Sequence, residues 1–69
     1  MRKRIEFYRP DNLSEPFEIR EWCLLPWPGL TIVLDAVGEE AVAYTVLDTI
    51  VIGDEDDFYW RLTVSEAGT

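Results

Sequence analysis

Between positions 58 and 65 the apolar residues Phe58, Trp60, Leu62 and Val64 alternate without a break with Tyr59, Arg61, Thr63 and Ser65. A repeat of two belongs to extended chain, whose successive side chains point to opposite faces of a sheet, and it cannot be satisfied by a helix, whose repeat is near four. Once one segment of a 69-residue chain is a strand it needs partners, because an isolated strand leaves every backbone donor and acceptor unpaired. The rest of the sequence must therefore supply strands.

It does so in short runs separated by turn chemistry. Residues 2–9 alternate, with Ile5 and Phe7 on one side and Arg4, Glu6 and Tyr8 on the other, so the basic residues face mostly solvent on an edge strand. Pro10, Asp11 and Asn12 end this run. From 17 to 25 the odd positions Phe17, Ile19, Cys23 and Leu25 form an apolar face that Glu21 interrupts, and Glu18, Arg20 and Trp22 point the other way; a β-bulge near Glu21 would turn that carboxylate to solvent. Helix is the weaker alternative here. Pro26, Trp27, Pro28 and Gly29 make a rigid loop that displays Trp27, since two prolines fix φ and remove donors. Residues 30–35 form a third strand, and the polar stretch 36–40, with Gly38, is a turn. The run 41–52 is apolar on both faces and rich in β-branched residues, interrupted only by Thr45, Asp48 and Thr49, which predicts a strand covered on both sides. Gly53, Asp54, Glu55, Asp56 and Asp57 form an acidic turn before the last strand.

Five short strands without a convincing helix predict an all-β fold: a small five-stranded barrel or a strongly curved antiparallel sheet, since a flat sheet needs a cover and a barrel covers itself. Residues 1–66 form one domain and 67–69 a frayed tail, because a chain this short hides only about 60% of its unfolded surface and cannot divide its core. Leu25-Pro26, Gly29, Thr31-Ile32-Val33-Leu34 and Ala43-Tyr44-Thr45-Val46-Leu47-Asp48 give a layout that resembles short phage and bacterial proteins with SH3-like barrels. The resemblance covers about half of the chain. It implies the SH3-like fold and a phage or bacterial origin, and it transfers no catalytic residue.

Charge is unevenly shared. Residues 1–10 carry +3 and residues 11–69 carry −11, giving the net −8. The acidic body predicts a basic partner and argues against direct nucleic-acid binding, whose usual footprint is basic. No apolar stretch approaches the roughly 20 residues of a membrane span, and the negative charge opposes anionic lipid. The charged start at Arg2, Lys3 and Arg4 is broken by Glu6, Arg9, Pro10 and Asp11 before an apolar signal region could form, and a single cysteine cannot make an internal disulfide. These features predict a cytoplasmic protein, in a bacterial host cell on the resemblance above.

Catalytic chemistry finds little to work with. There is no histidine, the commonest proton-transfer residue near neutral pH, and Cys23, set among Trp22, Leu24 and Leu25, is expected to be a buried inert thiol. The isolated glycines form no phosphate loop. The carboxylates 54–57 lack the EF-hand order and are read as a solvated hairpin turn, so no metal and no cofactor is expected. Phe58 and Trp60 share the inward phase of the last strand and are assigned to the core. Trp22, Trp27, Tyr8 and Tyr59 fall on the opposite phase or in the rigid loop, where they either recognise a partner or plug the open ends of a barrel.

The expected function is a non-enzymatic acidic interaction protein: a phage-type inhibitor that covers a basic surface of a host defence protein, using Glu18, Trp22, Trp27, Glu39, Glu40, Asp48, Asp54, Glu55, Asp56, Asp57 and Tyr59. Carboxylates on alternate strand positions repeat at roughly 6.6–6.8 Å and can imitate a row of phosphates. The alternative is a binder of a nucleotide-like signal, with bases stacked on exposed aromatics and phosphate held by Arg2, Arg4 and Arg9, the pocket being built between subunits. A homodimer is expected on either reading, because a small barrel can cover only one face of the run 41–52.

Overall fold

The computed structural model describes residues 3–23, 26–34 and 40–67. Five strands, β1 (Lys3–Tyr8), β2 (Glu18–Trp22), β3 (Thr31–Leu34), β4 (Val42–Gly53) and β5 (Phe58–Glu66), make one sheet in the order β2-β1-β5-β4-β3. The sheet is strongly curled into a half-barrel, and the fold is all-β. The predicted strands are all present. Among the described residues there is no helix long and apolar enough to cross a membrane.

The neighbour relations differ from a simple antiparallel sheet. β1 pairs with β5 in parallel, Ile5 opposite Trp60 and Phe7 opposite Leu62, and the other three pairings are antiparallel. The sheet is therefore mixed. β1 lies inside it rather than at an edge, because its two sides are taken by β2 and β5. Its central position explains why Ile5 and Phe7 are wholly buried.

The concave face holds the core. Ile5 and Phe7 of β1, Leu62 and Val64 of β5, Tyr44 and Val46 of β4, and Ile32 and Leu34 of β3 are all buried, with Phe17, Trp22, Leu30, Val42 and Trp60 packed against them. The alternation in β5 is realised as written: Leu62 and Val64 are inside, and Trp60 and Phe58 continue the same face toward the hairpin end, half-buried. Burying such side chains contributes roughly 1.5–3 kcal/mol each, and a curled sheet lets one face enclose them without a second layer.

In β2 the structure inverts the expected phase. Glu18 pairs with Phe7, Arg20 with Ile5 and Trp22 with Lys3 in an unbroken register. Residues directly opposite in antiparallel strands share a face, so Glu18, Arg20 and Trp22 are on the concave side, and Ile19 and Glu21 are outside, exposed. No bulge at Glu21 is needed, since that carboxylate already points to solvent. Cys23, one place past Trp22, is exposed, which corrects the expected burial of its thiol. The two polar residues are tolerated at the concave rim because β2 is an edge strand and Arg20 pairs with Glu18 at 3.1 Å.

A bulge does occur, in β4. Val46 faces Val64 and Asp48 faces Thr63, leaving Leu47 as the extra residue. Before it, Val42, Tyr44 and Val46 face the core; after it, Thr49 and Val51 share the concave side with Leu62 and Trp60, and Asp48, Ile50 and Ile52 share the convex side with Thr63, Arg61 and Tyr59. β3 pairs with β4 only from Val42 to Thr45, extended by the Val46 N–H donating to the Leu30 carbonyl and the Gly29 N–H donating to the Val46 carbonyl. The far half of β4 is thus not covered on both sides as expected: Leu47, Ile50 and Val51 are about half exposed.

The loop into β3 is a type II turn, in which Pro28 takes the second position, Gly29 the third with φ +94°, and the Leu30 N–H donates to the Trp27 carbonyl at 3.1 Å. A positive φ at the third position is the reason for glycine there. The same requirement holds at Gly53, φ +119°, where a Cβ would collide with the Asp57 carbonyl oxygen and stand 2.8 Å from Phe58 Cα.

Candidate functional site

The chain's cations are engaged with its own aromatic rings. Lys3 Nζ lies 4.1 Å from the Phe58 centroid, and the guanidinium carbons of Arg4, Arg9, Arg61 and Arg20 lie 4.1, 4.5, 4.4 and 5.9 Å from the centroids of Tyr59, Phe17, Tyr8 and Trp22. Such contacts are worth about 0.5–1 kcal/mol each at exposed sites. The contacts of Lys3, Arg4 and Arg61 follow from the strand order, which places the basic strand β1 directly beside β5.

On the convex face the Arg4 and Arg61 stacks join into a network. Arg4 Nε stands 3.3 Å from Glu6 Oε2, the Tyr8 hydroxyl donates to Glu6 Oε1 at 2.8 Å, and Arg61 lies over Tyr8 while donating to the Leu13 carbonyl at 3.4 Å. Tyr8 is buried, which corrects its placement on a solvent face; the Arg61 side chain lies over its ring. Burial, reinforced by the hydrogen bond to the Glu6 carboxylate, pushes the Tyr8 phenol above its ordinary value of 10.0.

The β4–β5 hairpin end collects the uncompensated acids. Asp54 Oδ1 accepts from the backbone N–H of Asp56 at 3.0 Å and of Asp57 at 2.9 Å, and the Asp54 N–H donates to the Asp57 carbonyl at 3.1 Å. Asp54 therefore builds the turn, as aspartate does when its carboxylate replaces a backbone acceptor. Glu55, Asp56 and Asp57 project into solvent. Behind them, on the concave side, Val51, Phe58 and Trp60 floor an open hollow of about 520 Å³ whose rim includes Asp54 and Glu55. Phe58 and Trp60 stand edge to face, 6.0 Å apart at 85°. A second hollow of about 510 Å³ lies around Phe58 on the side of Lys3, Arg4, Glu21, Asp57 and Tyr59.

The other residues singled out in the sequence scatter. Glu18 is on the concave face of β2, tied to Arg20. Trp22 serves the core, edge-on to Phe7. Trp27 is exposed in a loop that docks at Val46, Glu40 is exposed just before β4, and Asp48 is exposed beside the bulge, its Oδ1 accepting from the Thr49 N–H at 3.0 Å. Tyr59 is half-buried on the convex face beneath Arg4. Glu39 and Arg2 lie outside the described residues. Arg4 and Arg9 are separated by five positions of extended chain, roughly 16 Å, and stack on opposite sides of β1. The fold brings Asp54 and Glu55 to one rim and Asp57 and Tyr59 to another. Val51, Phe58 and Trp60 form the floor behind the first rim; the alternation assigns Phe58 and Trp60 wholly to the core, and the run 41–52 that holds Val51 reads as covered on both sides. The available signal was length: the run 41–52 is about twice the run 30–35, so its far half could not be covered by that neighbour.

Among the described residues no group of three or more Cys, Asp or Glu could hold a metal ion. No protein-family model, curated protein or solved structure matches this chain.

Proposed function

We propose that this chain is a non-enzymatic interaction protein that docks a basic protein surface at the acidic end of its β4–β5 hairpin. The observation that carries this reading is the pairing of exposed carboxylates with an exposed apolar floor: Glu55 and Asp54 rim the hollow formed by Val51, Phe58 and Trp60. Lysine and arginine fit such a place, because their aliphatic stems lie along apolar surface while the charged head seeks a carboxylate or a ring face. The five described cations already lie over rings of their own chain, so the outward field is dominated by acids, and a field of one sign speeds encounter with the opposite sign. With no histidine in the sequence, binding rather than proton transfer is the activity this surface suits. On the phage-like layout of its strands, the partner is a host defence protein in the bacterial cytoplasm whose basic site is blocked by occupancy.

The test is affinity capture from a bacterial lysate with the wild-type chain and with Glu55→Gln/Asp56→Asn/Asp57→Asn, which leaves the turn-building Asp54 in place. Proteins held by the wild type, released by rising salt and lost from the triple variant support the reading. Retention that ignores both salt and the triple substitution would overturn it.

A further inference from the structure

The far half of β4 is a strand with one side open. Residues 48–53 pair with β5, and among the described residues nothing pairs with their other side, because β3 begins only at Thr31, opposite Thr45, and the loop before it reaches no further along β4 than Val46. Every other residue of this six-residue stretch directs its N–H and C=O to the open side. Natural sheets blunt such an edge with charge, proline or a short strand, and here the central residues Thr49, Ile50, Val51 and Ile52 are β-branched and uncharged.

Resting on the function proposed above, we infer that the open edge of β4 is where the basic partner docks, by adding an extended segment as a sixth strand. Main-chain hydrogen bonds would supply affinity and alternate side chains the specificity. Two features select a basic segment. Acids bracket the edge, Asp48 at its start and Asp54 with Glu55 at its end, and all three are exposed. On the concave side, Val51 and Trp60 offer an apolar floor to the stems of every second side chain. A second copy of this chain is the poorer occupant. Antiparallel self-pairing centred on Ile50 would set Asp48 opposite Ile52 of the partner copy and bring each acidic turn alongside the other's Asp48, adding repulsion to two chains that each carry −8.

The probe is an alternating lysine–valine heptapeptide, with a glutamate–valine heptapeptide and a proline-interrupted lysine peptide of equal charge as controls. Titration is followed by amide hydrogen exchange and by light scattering. The expected result is binding of the lysine–valine peptide alone, with amide protection gained within residues 48–53, and affinity roughly fivefold lower for Asp48→Asn/Glu55→Gln. Val51→Lys, at an exposed position, should abolish binding while the thermal melt confirms its fold. Equal binding of the two lysine peptides with no protection at 48–53 would overturn strand addition and leave the acidic docking surface standing. A lysine peptide that fails to bind at low salt would overturn both. Scattering that reports a dimer, with 48–53 already protected before peptide is added, would give the edge to a second copy.

Discussion

The Trp22 ring stands edge-on to Phe7, with centroids 5.8 Å apart and planes at 74°. This contact fixes the face that β2 turns to the core, since Trp22 and Ile19 fall on opposite sides of the strand. Trp22→Ala should cost about 2 kcal/mol, below the range for a fully enclosed tryptophan because the ring is only partly buried. Ile19→Ala should cost no more than about 0.5 kcal/mol, since that side chain is about half exposed. Urea unfolding of the two variants measures both, and the reverse order would show that the sheet packs the other way.

Both positive-φ glycines should resist substitution, to different degrees. Gly29→Ala has open space around its Cβ and meets only the backbone penalty, about 1–2 kcal/mol. Gly53→Ala adds a collision with the Asp57 carbonyl and Phe58 Cα, so it should cost more and loosen the acidic turn. Thermal melts rank the two.

Thr49 Oγ1 is buried and has no hydrogen-bond partner. A hydroxyl in that position loses its water without compensation, and valine fills nearly the same volume without the cost. Thr49→Val should therefore stabilise the fold by about 1 kcal/mol, seen as a higher midpoint in denaturant with an unchanged slope.

The phenol of Tyr8 holds its proton more tightly in the folded chain than in the unfolded one, chiefly through burial and then through the Glu6 hydrogen bond. A raised folded pKa means that ionisation favours unfolding. The contribution is complete below the unfolded value near 10 and is lost as pH rises through the higher folded value. Absorbance titration should show a late-ionising phenol that is lost in Tyr8→Phe, and the same substitution should flatten the fall in stability in that alkaline window.

The strands were legible because period two is a local property of extended chain. β5 could be read with its phase because its apolar and polar positions never compete. β2 could not: Phe17, Ile19 and Cys23 outnumber Trp22 as apolar markers, yet the half-barrel leaves its convex face uncovered, so Ile19 has nowhere to be buried and the single large ring decides. Phe17, which does reach the core beside Phe7 and Tyr44, does so from the loop before the strand. The parallel neighbourhood of β1 and β5 was invisible because alternation names the face of a strand and not the strand beside it. The candidate site divided along the same line. The acids 54–57 announced themselves, and the floor formed by Val51, Phe58 and Trp60 required knowing where along β4 the pairing with β3 begins.

The strand order also assigns β5 a part in how the chain acquires its structure. Before residues 58–66 are in place the molecule can form only two separate hairpins, β1 with β2 and β3 with β4, each of a size that is barely stable alone in water. β5 is the keystone that joins them, and its parallel bond to β1 spans nearly the whole sequence. Assembly should accordingly be slow for so short a chain and all-or-none, and a nascent chain stopped before Phe58 would hold two unjoined halves rather than a sheet missing its rim.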